Sequence, residues 1–157
     1  MTYIEAPEEF EPAGVPSLFL AGGISDCDGW QWRLAEMLSP LDLVVLNPRR
    51  KHFPMDDPSA AEGQIRWEFR HLRRATARLF WFPGATLCPI ALYELGAWSM
   101  APDPLLVGVD PAYARRHDVE IQTKLVRPDV RVRYSMDELA DDVRRYVGAR
   151  SQAGVTQ

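Results

Sequence analysis

Residues 17–23, Ser17-Leu-Phe-Leu-Ala-Gly-Gly23, decide the fold. A short apolar run halts at two glycines, which reads as a strand closed by a turn. A run that does not alternate with polar residues belongs to a strand buried on both faces, the habit of parallel sheets covered by helices. The pattern returns at Leu43-Val-Val-Leu46, ended by Asn47-Pro48, and at Arg78-Leu-Phe-Trp-Phe82, closed by Pro83-Gly84. Leu105-Leu-Val-Gly-Val109, ended by Asp110-Pro111, and residues 130–134 complete five strands.

Helical spacing fills the intervals. Asp28 is placed to cap a helix through about Leu38, and 64–77 puts Ile65, Phe69 and Leu72 on one side. Pro89 starts a third helix ending near Met100, a proline being at home in a first turn. A short helix is predicted over 119–125. A last one over 136–147 is introduced by Ser135 and Glu138 in capping-box spacing. The stretch 49–63, with two prolines and an Asp-Asp pair, reads as a long loop. The expected fold is α/β: a flavodoxin-like or Rossmann-like three-layer domain around a five-stranded, mainly parallel sheet. It spans 17–147, with 1–16 as an N-terminal extension and 148–157 as a flexible tail.

Composition narrows the function. The 157 residues are 46% hydrophobic and 25% charged, ordinary for a globular chain and too apolar for disorder. A net charge of −4 argues against a nucleic-acid polymer as partner. No apolar run approaches the roughly 20 residues of a membrane span, and the acidic, proline-bearing start lacks the pattern of a signal peptide. A cytoplasmic protein is expected. Cys27 and Cys88 are too few for a disulfide framework, and His52, His71 and His117 have no ligand spacing, so neither a metal nor another cofactor is implied.

In parallel sheets ligands bind beyond the C-terminal strand ends, which directs the search to the loops. Gly22-Gly23-Ile24 follows the first strand. It is neither GxGxxG nor a P-loop, and its glycines serve either a ligand or the turn itself. After the second strand come Asn47, Arg49 and Arg50, whose guanidiniums either grip a phosphate or carboxylate or are solvated. Trp81, Phe82 and Pro83 close the third strand, where a ring either stacks on a base or packs in the core. Glu94 lies in Pro89-Ile-Ala-Leu-Tyr-Glu-Leu-Gly-Ala-Trp98, the most apolar helix of the chain. A carboxylate there is held either for a chemical task or by the helix dipole. Glu68, among Arg66, Arg70, Arg73 and Arg74, reads by itself as part of a salt-bridged surface.

Taken together, Phe19-Leu-Ala-Gly-Gly-Ile24, Asn47-Pro-Arg-Arg50, Trp67-Glu68, Phe80-Trp-Phe-Pro83 and Tyr93-Glu-Leu-Gly96 resemble the nucleoside 2-deoxyribosyltransferase-like superfamily. The resemblance runs from Leu18 to about Tyr134. It implies that Glu94 attacks C1′ of a nucleoside or nucleotide and that Glu68 contacts or protonates the base. Gly23 and Ile24, following Gly22, would then frame sugar and base. The glycosyl-enzyme would pass to a free nucleobase acceptor in a transferase or to water in an N-glycohydrolase. A nucleotide-binding module without chemistry is the contrasting class. Where better-known transferases carry an aspartate six residues before the nucleophile, Cys88 stands here. The serines of monophosphate hydrolases are likewise absent from Thr86-Leu-Cys-Pro-Ile90, which leaves Arg49 or Arg50 for a phosphate. A homo-oligomer, with a residue lent by a neighbouring subunit, is the family's usual assembly.

Overall fold

Gly22 shows why the first core strand ends where it does. Its φ is +149°, and a Cβ there would lie 2.1 Å from the carbonyl oxygen of Trp81 on the neighbouring strand. Only glycine lets the two backbones come this close. The structure, a computed structural model, describes residues 1–154. Its strands are β1 (Thr2–Glu5), β2 (Ser17–Gly22), β3 (Val44–Asn47), β4 (Ala77–Phe82), β5 (Leu105–Val109) and β6 (Val132–Arg133). The helices are α1 (Trp30–Leu38), α2 (Pro58–Arg74), α3 (Pro89–Ser99), α4 (Arg116–Val126) and α5 (Met136–Gly154).

All pairings are parallel, in the order β1-β3-β2-β4-β5-β6. Without β1 this is the 2-1-3-4-5 order of flavodoxin-like sheets, so the expected fold class holds with one strand more. Alternate residues of each strand serve opposite cores. Phe19, Ala21, Phe80 and Phe82 face α2, α3 and α4, packing with Trp67, Leu72, Ala91, Leu95 and Val119. Leu18, Leu20, Leu79 and Trp81 face α1 and α5, packing with Trp30, Leu34, Leu139 and Val143.

The sixth strand comes from the segment read as an extension. Residues 2–5 pair with β3, and the chain then crosses α2 before entering β2. Phe10 is buried on the way. The amide N–H of Phe10 donates to Nε2 of His71 at 3.1 Å, and the indole of Trp67 donates to the carbonyl of Glu8 at 2.7 Å. Four strand residues followed by prolines and glutamates carry too little pattern to be read as sheet.

Helix α2 begins at Pro58, not Gln64. Asp57 accepts from the amide of Ser59 at 2.9 Å and Pro58 fills the first turn, so residues that suggested a loop are a helix start. Asp28 does not cap α1, whose N-cap is Gly29; it pairs with Arg33 instead. At the start of helix α5 the Glu138 N–H donates to the Ser135 hydroxyl as the capping box predicts, while the Glu138 carboxylate accepts from the Tyr134 N–H, one residue earlier than Ser135; the helix runs on to Gly154 through much of the segment read as a tail. The rest of that segment, 155–157, lies outside the described residues. No helix among the described residues is long and apolar enough to cross a membrane.

Candidate active site

Beyond the C-terminal ends of β2 and β4, α2 and α3 part to leave a cavity of about 740 Å³. This is the switch point of the sheet: from β2 the strand order leads outward to β3 on one side and β4 on the other. The floor is Phe19, Ala21 and the Gly22–Ser25 turn. One wall is Ile65, Glu68, Phe69 and Leu72 of α2; the other is Thr86 and Cys88 with Ile90, Tyr93, Glu94 and Ala97 of α3.

Glu94 is the only carboxylate on α3, and it lies beyond the first helical turn. The dipole effect fades within that turn, so it does not account for the residue. The side chain lines the cavity, half-buried. Burial first, and the charge of Glu68 second, push its carboxyl up from 4.5 to about 7. Glu68 lines the cavity from the opposite helix. Burial raises its carboxyl too, against the hydrogen bond from Gln64 and the positive charge of Arg50, both of which favour the ionised form. Two carboxyls from different helices thus share one largely apolar enclosure. That arrangement suits a nucleophile and a proton donor or acceptor acting on the same substrate.

The β2–α1 turn is held from behind. The carbonyl of Gly23 accepts from the indole of Trp30 at 2.8 Å and the amide of Gln31 at 2.9 Å. The N–H of Ile24, in the same trans peptide, therefore points away from α1. A Cβ on Gly23 would meet Pro83 at 2.7 Å and the Cys88 sulfur at 3.0 Å, so close packing of the turn itself accounts for this glycine. Cys88 precedes α3 in a left-handed conformation, φ +47°. Burial pushes its thiol up to about 11, so it is neutral and supplies no negative charge. The hydroxyl of Tyr113 donates to the Leu87 carbonyl at 2.6 Å, bracing this loop from β5's side.

Of the residues singled out in the sequence, Gly22, Gly23, Ile24, Glu68, Cys88 and Glu94 line the cavity. The others do not line it. Trp81 faces the α1–α5 core, and Phe82 is fully buried against Phe80 and Tyr113, so neither ring is open to a base. Pro83 is buried behind Gly23. Asn47 is fully buried, donating to the Tyr3 hydroxyl at 2.6 Å and accepting from the Arg49 amide at 2.9 Å. The Arg49 guanidinium donates to the carbonyls of Asp28 at 2.5 Å and Cys27 at 3.0 Å and sits 5.0 Å over Trp32. It ties the β2–α1 loop. Arg50 acts on Glu68 through its charge, without lining the cavity.

Helical spacing puts Ile65 and Phe69 on one side of α2 with Leu72. They are 65% and 56% exposed, and they form the cavity wall, while Trp67 and His71, stacked at 4.0 Å, hold the core side of α2 with Leu72. Tyr93, 79% exposed, and Thr86 also line the site without having been singled out. An apolar wall residue and a core residue look alike in sequence.

The model of the nucleoside 2-deoxyribosyltransferase-like family matches residues 15–113. The chain belongs to this family. The matched stretch runs from just before β2 through Tyr113 and so contains every cavity-lining residue, whereas β1, α4, β6 and α5 lie outside it. No curated protein matches the chain.

Proposed function

We propose that the protein is a nucleoside deoxyribosyltransferase that cleaves an N-glycosidic bond by double displacement, with Glu94 as nucleophile. The observation that carries this reading is the convergence of Glu94 and Glu68 on one apolar cavity at the switch point of the sheet. An Oε of Glu94 attacks C1′ as the C1′–N bond breaks and its electron pair leaves with the base. Glu68, across the cavity, supplies a proton or hydrogen bond to the departing ring. A second nucleobase then attacks C1′ from the side the first one left, Glu94 departs, and configuration is retained.

The loop after β3 offers a 5′-phosphate no cation, because Arg49 is committed to the β2–α1 loop and Arg50 does not line the cavity; the arginine that does line it, Arg73, is stacked on Phe69 at 3.5 Å. Hydrolysis is the second reading. In a single copy the rim residues Ile65, Ile90 and Tyr93 are exposed, and water reaches the glycosyl-enzyme from that side.

The same rim supports a homo-oligomer. Apart from Glu94 and Ser99, helix α3 carries no polar side chain, as helices enclosed on all sides do, yet Ile90 and Tyr93, with Met100 just after the helix, stand exposed. A second copy on this face would enclose the cavity and exclude water.

The test incubates 2′-deoxynucleosides and their 5′-monophosphates with wild-type or Glu94→Ala protein, with and without a second free base, and separates the products. A new nucleoside formed only by wild type with acceptor is the expected result. Free base without transfer product would make the protein a hydrolase. No reaction in any mixture would leave a binding module.

A further inference from the structure

We propose that Gln64 is a positioning residue for the departing nucleobase: it dedicates one oxygen of Glu68 to accepting a hydrogen bond and so leaves the other to carry the proton that the base takes. This rests on the role given to Glu68 above and adds a residue to it.

Gln64 lies one turn before Glu68 on α2, where side chains four apart meet. Its Nε2 donates to the carbonyl of Pro48 at 2.6 Å and to Oε1 of Glu68 at 2.7 Å. The Pro48 carbonyl can only accept, so it fixes which end of the amide points this way. A flipped amide would set oxygen against oxygen at the Pro48 carbonyl. The orientation has a cost, since Oε1 of Gln64 is buried without a partner among the described residues. Such orphans are uncommon and call for a reason. Here the reason is that both amide hydrogens are in use, one as anchor and one as donor to Glu68.

Oε1 of Glu68, already accepting, is a poor place for a proton, so the acid carries it on Oε2. As the C1′–N bond breaks, the Oε2 proton passes to a ring nitrogen of the base and the bond's electron pair leaves with the ring. Glu68 becomes a carboxylate, stabilised by the Gln64 N–H and by the charge of Arg50. When the acceptor base attacks, it returns a proton to Glu68 and the site is reset.

The experiment compares wild type and Gln64→Leu on 2′-deoxyadenosine and on 7-methyl-2′-deoxyguanosine, whose base is already cationic and leaves without gaining a proton. The expected result is a loss of about 10-fold in kcat on 2′-deoxyadenosine with KM little changed, and near-wild-type turnover of the methylated substrate. Equal losses on both, with wild type active, overturn this inference alone. A wild type inactive on both overturns the proposed function and this inference with it. Independently of turnover, carboxyl NMR of 13C-glutamate-labelled protein should show Glu68 titrating at higher pH in Gln64→Leu, because a donor to the ionised form is lost. An unchanged titration also overturns the proposal.

Discussion

Glu94 carries the clearest residue-scale consequences. Its carboxyl, moved from 4.5 to about 7, must be ionised to attack C1′, so kcat/KM should fall as pH drops through about 7. Stability moves the other way. Between pH 4.5 and 7 the folded protein holds a proton that the unfolded chain has released, so stability falls as pH rises through that window, by up to about 3 kcal/mol. Glu94→Gln removes the ionisable group. It should lose at least about 10³-fold in turnover yet melt higher than wild type at pH 8, with the difference vanishing near pH 4.5. Scanning calorimetry of both proteins across this range checks the sign. A variant that melts lower at pH 8 would mean that Glu94 is not held against its charge. Apolar neighbours around one glutamate made this residue conspicuous in the sequence. Glu68 was not, because its arginine neighbours in sequence spread around α2, Arg66, Arg70 and Arg74 pairing with surface glutamates while Glu68 turns to the cavity.

At the scale of elements, the strap from Ala6 to Pro16 and helix α2 form one unit that local patterning did not reveal. His71, fully buried, accepts the Phe10 N–H through Nε2, while its other ring nitrogen lies 2.8 Å from the Trp67 carbonyl. Nδ1 therefore carries the proton in the neutral ring. Burial lowers the pKa of His71 from 6.5, against the Trp67 hydrogen bond and Glu9, while Arg70 and Arg74 lower it further. The unfolded chain therefore takes up a proton below about pH 6.5 that the folded ring resists, and stability is lost as pH falls below that point. A protonated Nε2 would also face the Phe10 N–H as donor against donor. Hydrogen exchange at the Phe10 amide, corrected for its intrinsic rate, should therefore lose protection between pH 7 and pH 5. Protection that stays constant would show that the strap does not depend on neutral His71. The start of α2 teaches a related lesson. Asp57-Pro58 is a turn signal in isolation and a helix cap once the chain beyond it is helical.

For the whole molecule, the apolar rim of the cavity is the feature a single copy leaves unexplained. If a second copy covers α3, Tyr93→Asp should place a charge in that contact. Light scattering would then show a smaller particle, with transfer activity falling alongside. A variant of unchanged mass and activity would put the interface elsewhere or remove it. The overall architecture was legible because the buried strands read as short unbroken apolar runs closed by glycine, asparagine or proline, while the helices between them keep a period of 3.6. The 2-1-3-4-5 order and its switch point then place the cavity at a location that strand ends alone already indicate.

Sequence by itself determined the α/β class, the parallel sheet, the strand ends beyond which the cavity lies and the isolation of Glu94 on an apolar helix. All of these depend on patterns within a few residues of one another. The tertiary structure alone decided which residues at the strand ends face the cavity. One step along β4 sends Trp81 to the α1–α5 core and Phe82 to the other, and the backbone of the loop after β3 turns Arg49 back onto Cys27 and Asp28. It also decided that β1 joins the sheet and that Pro48 anchors the amide of Gln64. Both are contacts whose partners, β3 and Pro48, come from distant or separately folded parts of the chain, and no local pattern encodes a neighbour that only packing supplies.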